Sequence, residues 1–137
     1  MFGKLKELIE NSYSPIRDYR VACIVKMIDG KEFNGVNLEN PSFKDGLCAE
    51  QVAIGTAIVE GYTKGEFDTI YLLGDTDSIT PCFLCRQYLV EFFDENSSVI
   101  TYDSEGKETI YKIKELCPYT FSEEDLENDK WIKKIIK

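Results

Sequence analysis

Cys48-Ala49-Glu50 and, further on, Pro81-Cys82-Phe83-Leu84-Cys85 decide how this chain is read. The 137 residues include no histidine, so a transition metal bound here has to be held by thiolates. A tetrahedral zinc site with three protein ligands keeps its fourth position for water, whereas a structural site closes with a fourth side chain. Cys48, Cys82 and Cys85 supply three such ligands. Glu50, two residues past Cys48 and not itself a ligand, has the chemistry to take a proton from that water and deliver it to a substrate nitrogen.

A lone C-x-x-C also suits a redox pair or half of a zinc ribbon. Three further features distinguish this one: the upstream C-A-E, Pro81 directly before the second pair, and an apolar segment after each that reads as a helix. A closed structural zinc would need Cys23 or Cys117 as its fourth ligand. Cys23 lies in the apolar run Val21-Ala22-Cys23-Ile24-Val25, where cysteine packs as a small hydrophobe, whereas Cys117, before Pro118, leaves that alternative open. A redox dithiol at Cys82 and Cys85 would leave Cys48 and Glu50 without a task.

Outward from these segments, the pattern predicts helices over about Cys48–Glu60 and Phe83–Phe93, each opened by cysteine ligands. Helix N-termini carry unpaired N–H groups and partial positive charge, which favour thiolates and lower their pKa. Phe2, Leu5, Leu8 and Ile9 recur at helical spacing, so the first dozen residues read as an amphipathic helix packed on a sheet. Val21–Ile28 and Phe33–Val36 flank the turn signal Asp29-Gly30 and read as an antiparallel pair. Breakers at Asn40, Pro41, Ser42, Asp45 and Gly46 make 38–47 a loop, and 74–81 is a second one. Thr69–Leu73, Val99–Tyr102 and Thr109–Ile113 complete an expected five-stranded mixed sheet flanked by helices, an α/β fold in three layers. The tail from Ser122 to Lys137 reads as a capped helix docked on its own domain or a neighbour.

The length suits one domain, and 43% hydrophobic residues suit a packed core. Sixteen cationic against 25 anionic side chains give a net charge of −9 with no basic cluster, which disfavours a nucleic acid polymer as partner and favours a small neutral substrate. Lysine interrupts the N-terminal apolar residues at once, so neither a signal peptide nor a membrane span is expected there. Five cysteines, an odd number, fit a reducing cytoplasmic setting with thiols free for metal.

Five landmarks in order resemble the homotetrameric, zinc-dependent cytidine deaminases: Tyr13-Ser14-Pro15 with Tyr19-Arg20-Val21-Ala22; Gly35-Val36-Asn37-Leu38-Glu39-Asn40; Cys48-Ala49-Glu50; Pro81-Cys82-Phe83-Leu84-Cys85-Arg86-Gln87; and Glu115-Leu116-Cys117-Pro118-Tyr119-Thr120-Phe121. The resemblance implies Zn²⁺ on Cys48, Cys82 and Cys85, with Glu50 catalytic. It further implies Asn37 and Glu39 on the ribose, the Ala49 N–H facing the pyrimidine O2, and the Thr80 carbonyl accepting from the C4 amino group. Tyr19 would lie against the base, and Phe121 would reach a neighbouring subunit's site; ordinary packing is the competing reading for both rings.

Departures from the family pattern stand out at four places. Gln51 replaces the arginine that helps neutralise a zinc thiolate, which makes Arg86 the candidate for charge balance. Phe83 stands where glycine is usual. Ile16 and Arg17 replace tyrosine and serine, and Phe43 stands where tyrosine is common. The expected activity is hydrolytic deamination of cytidine and deoxycytidine within pyrimidine salvage. A deaminase of another cytosine compound, resembling the blasticidin S deaminases through Asp18-Tyr19 and Gly55-Thr56-Ala57, is one rival. A non-catalytic zinc module is the other, and it leaves Glu50 unexplained.

Overall fold

The computed structural model describes residues 1–127; the end of the tail read above as a helix, 128–137, lies outside the described residues. Five strands, β1 (Val21–Met27), β2 (Glu32–Val36), β3 (Phe67–Gly74), β4 (Phe93–Tyr102) and β5 (Glu108–Lys112), form one sheet in the order β2-β1-β3-β4-β5. β3 and β4 run parallel and the other neighbours antiparallel, so the sheet is mixed. The β3–β4 connection needs a crossover, and that crossover carries the second cysteine segment.

Helices cover both faces. α1 (Phe2–Leu8), continued by a 3-10 turn at Ile9–Asn11, packs Leu5 and Ile9 against Ala22, Ile24, Leu73 and Tyr102. The opposite face, with Cys23, Val25, Met27, Ile70, Leu72 and Val99, buries Ala49, Ala53, Ile54 and Ala57 of α2 (Ala49–Val59) and Leu89 of α3 (Phe83–Phe92). β1 therefore has five successive buried residues at its start, because alternate side chains enter two different cores. Cys23 is 0% exposed within the second core, as its apolar setting implied.

Two short helices follow β5: α4 (Ile113–Leu116), which the sequence pattern did not signal, and α5 (Glu123–Glu127). β4 starts at Phe93, six residues before the expected Val99, directly at the end of α3. Its polar stretch Asp94-Glu95-Asn96-Ser97 coincides with a register shift against β3, between the Phe67–Phe93 and Thr69–Ser98 pairs. At the other edge, Gly35 of β2 lies so close to α2 that a Cβ there would sit 2.2 Å from the Ala49 carbonyl oxygen. This approach fixes the start of α2 against the sheet.

Candidate metal and substrate site

Cys48 is the N-cap of α2 and Cys82 the N-cap of α3, both in extended backbone geometry, and Cys85 lies in the first turn of α3. Gln51 closes the start of α2 by accepting from the Cys48 N–H at 2.8 Å, a capping-box contact. The Cys82 sulfur accepts from the Cys85 N–H at 3.5 Å. The two helix starts thus face each other, and the three sulfurs lie within 4.8 Å of one another. An ion bound tetrahedrally with Zn–S bonds of about 2.3 Å holds its sulfurs about 3.8 Å apart. The Cys48–Cys82 sulfur separation is 3.9 Å, so the donor set fits such an ion. Among the described residues, neither Cys23 nor Cys117 belongs to the cluster.

Charge is unevenly divided among the sulfurs. Hydrogen bonding with the Cys85 thiol brings Cys48 down to about 6 against the opposing effect of burial, with help from Cys82 and from the Arg17 charge. Cys85, bonded to that thiolate and buried beside Glu50, moves upward and keeps its proton. Burial pushes the Glu50 carboxyl up to about 7, opposed by hydrogen bonds from its own N–H and from Cys85, and reinforced by the Cys48 charge. Glu50 is 5% exposed, and every buried polar side-chain atom among the described residues has a partner. Such a carboxyl, poised near neutrality beside a cavity, suits proton transfer.

The cavity holds about 420 Å³ and is lined by Tyr19, Asn37, Glu39, Cys48, Ala49, Glu50, Thr80 and Cys82 among others. That volume suits a small organic ligand. Glu39 is locked on one side: its Oε1 accepts from the Ser14 hydroxyl at 2.5 Å and from the N–H groups of Arg17 at 3.2 Å and Ile16 at 3.3 Å. Its Oε2 meets only the Arg17 guanidinium, at 3.7 Å. The Ser14 bond and, against burial, the contacts with Arg17 and Ile16 hold this carboxyl below its ordinary value, so it stays ionised. The Asn37 Oδ1 accepts from the Val21 N–H at 2.8 Å and from the Ser12 hydroxyl, and its Nδ2 donates to the Tyr19 carbonyl at 2.8 Å. One amide hydrogen of Asn37 is left for a ligand. Tyr19 packs on the α2 side of the sheet and bonds Thr76 through its hydroxyl at 3.1 Å.

Phe121 and Arg86 do not line the cavity. Phe121 is 57% exposed, with its carbonyl held by the Gln87 amide at 2.7 Å. Arg86 donates to the carbonyls of Pro81 and Leu116 and to the Thr80 hydroxyl. Ser14, Arg17 and Lys44 do line it, although spacing gave them no role. Ser14 and Arg17 stood within quoted or departing segments; Lys44 had no signal of its own.

Two helix starts that bring three thiols together beside a buried acid, with Cys48, Cys82 and Glu50 on the wall of one cavity, on a mixed five-stranded sheet, define a zinc-binding deaminase. Residues 1–101 match the profile described as the cytidine and deoxycytidylate deaminase zinc-binding region, and the chain belongs to that family. It is 32% identical over 113 residues to a cytidine deaminase of Mycoplasma genitalium, covering 82% of this chain and 86% of that one. It is 30% identical over 128 residues to a cytidine deaminase of Halalkalibacterium halodurans, covering 89% and 94%. The crystal structure of cytidine deaminase from Burkholderia pseudomallei superposes with a TM-score of 0.82 at 32% identity, covering 87% of this chain and 94% of that one.

Proposed function

We propose that this protein hydrolyses cytidine and deoxycytidine to uridine and deoxyuridine with release of ammonia, as a single catalytic domain spanning 1–137. The observation that carries the reading is a buried acid beside three convergent sulfurs, with the acid, Cys48 and Cys82 lining a cavity of about 420 Å³. Cys48, Cys82 and Cys85 would hold the zinc, which supplies a water of lowered pKa and polarising charge at the reacting carbon. Glu50 takes a proton from the attacking water and delivers it to the ring nitrogen N3, making C4 electrophilic. A C4–O bond forms, Glu50 passes the second proton to the amino group, and the C4–N bond breaks.

The remaining assignments follow the cavity wall. The N–H of Ala49 faces the pyrimidine O2 and the Thr80 carbonyl accepts from the departing amino group. The sugar hydroxyls meet Oε2 of Glu39 and the remaining amide hydrogen of Asn37, and the ring of Tyr19 flanks the base. Phe121, exposed and outside its own cavity, supports a homotetramer in which it reaches a neighbour's site. The reaction would serve pyrimidine salvage in the cytoplasm; no described helix is long and apolar enough to cross a membrane.

Ammonia release from cytidine, deoxycytidine and blasticidin S, with and without chelator, tests this reading. Chelator-sensitive turnover of the two nucleosides is expected. Turnover of the antibiotic alone would move the substrate elsewhere, and a zinc-loaded protein inert toward all three would reduce the site to a binding module.

A further inference from the structure

Arg86 was expected to balance thiolate charge, but its bonds describe a mechanical task. Nε donates to the Pro81 carbonyl at 2.8 Å, Nη1 to the Leu116 carbonyl at 2.7 Å and Nη2 to the Thr80 hydroxyl at 3.3 Å. The ring of Phe83 lies over the guanidinium, with Cζ 4.3 Å from its centroid. Phe83 is itself 78% exposed, and neither residue lines the cavity, whereas Thr80 and Cys82 do. The two anchored residues immediately before Cys82 and the one immediately after it are therefore all tied to a single planar group. The far end of that group rests on the last residue of α4.

We propose that Arg86, held flat beneath Phe83, is a positioning residue that fixes the Thr80–Cys82 segment, setting both the Thr80 carbonyl and the Cys82 sulfur. The role rests on the reading of Thr80 and Cys82 as active-site groups. Only a rigid fork suits it: a guanidinium offers donors in several fixed directions within one plane and stacks on an aromatic face, whereas an ammonium is a point donor on a flexible stem. Among the described residues, the hydrogen bonds that hold the 80–81 segment are those of Arg86, which act together with the packing of the buried Pro81 ring. Phe83 contributes a cation–π contact on one face of the fork, which restrains the guanidinium against turning.

Arg86→Lys separates this role from charge balance, since it keeps the charge and removes the fork. Zinc content, thermal unfolding, kcat and KM for cytidine, and hydrogen exchange of a peptide spanning 80–85 are measured on wild type, Arg86→Lys, Phe83→Gly and Phe83→Tyr. The amino group leaves against the Thr80 carbonyl, so the loss falls on kcat: at least fivefold for Arg86→Lys at full zinc occupancy, with KM changed less than twofold and exchange in 80–85 accelerated. Phe83→Gly shifts kcat and exchange in the same direction, and Phe83→Tyr restores both. Wild-type kcat and exchange in Arg86→Lys would overturn the proposal in favour of charge alone, and so would a loss that vanishes when rates are expressed per bound zinc. If Arg86→Lys does not fold, the Phe83 pair decides, with equal rates and exchange in Gly and Tyr variants as the refuting result. Inactive wild type would instead refute the proposed reaction, so the two failures are distinguishable.

Discussion

Replacing Gly35 by alanine tests how the site is built. The added Cβ would stand 2.2 Å from the Ala49 carbonyl oxygen and 2.5 Å from the Ala53 nitrogen, where ordinary contact starts at 3.4 Å. All of these obstacles are backbone atoms, so no rotamer change relieves them, and β2 and α2 must separate by about 1 Å. Either the helix retreats, taking Cys48, Ala49 and Glu50 with it, or the strand does, taking Asn37 and Glu39. Overpacking of this kind costs about 1–3 kcal/mol. For a domain of this size that corresponds to a Tm lower by roughly 4–12 °C. A misplacement of about 1 Å between reacting groups lowers turnover about 100-fold. Thermal unfolding and kcat for cytidine at measured zinc occupancy read the two effects separately. Gly55→Ala is the control: nothing lies within 4 Å of a Cβ there, and it sits inside α2. It should stabilise by about 0.5–1 kcal/mol. A Gly35→Ala protein with wild-type Tm refutes the steric reasoning, and one with lowered Tm but unchanged kcat refutes the dependence of the site on this contact.

Glu50→Gln keeps the shape of the side chain and removes its proton transfer; zinc stoichiometry should persist while kcat falls about 10²–10⁴-fold, and a rate near wild type would end the assignment. Glu39→Gln replaces a charged acceptor, so kcat/KM for cytidine should fall about 10–100-fold relative to that for free cytosine, with equal losses excluding a sugar contact. Burial opposes ionisation of Asp75, but hydrogen bonds from the Arg20 side chain and N–H, together with the Arg20 charge, outweigh it and lower its pKa. Its contribution to stability is therefore complete above the unfolded value of about 3.9 and is lost as pH falls through the lower folded value. Tm of wild type should exceed that of Asp75→Asn at neutral pH, and the two curves should converge in acid; a gap that widens in acid would reverse the sign.

The sequence spelled out what depends on local pattern. Cysteine caps mark the start of α2 and α3, and apolar runs mark β1 and β3. The start of β4 was hidden because Asp94-Glu95-Asn96-Ser97 has no apolar period; backbone pairing of Phe93 with Phe67 alone makes it strand. α4, four residues long, is too short for periodicity to register. Within the site, Cys48, Cys82, Cys85 and Glu50 carry their chemistry in the residue type. The task of Arg86 was harder to see, since two of its three partners are backbone carbonyls that any residue could offer at those positions. Lys44 reaches the cavity through the course of the 38–47 loop, which no spacing rule predicts.

Asn37 and Glu39 stand side by side on the cavity wall with unequal freedom to evolve. The amide of Asn37 bolts together Ser12, Tyr19 and Val21, so a replacement that altered contact with a ligand would also loosen the end of the 3-10 turn, the approach to β1 and the start of β1 itself. Glu39 anchors the Ser14–Arg17 turn with one oxygen and meets only the Arg17 guanidinium with the other, so a residue that reproduced only the anchoring half could change what the wall recognises while leaving the scaffold standing. Laboratory selection for altered sugar preference should accordingly accumulate survivors at position 39 and find position 37 nearly immutable.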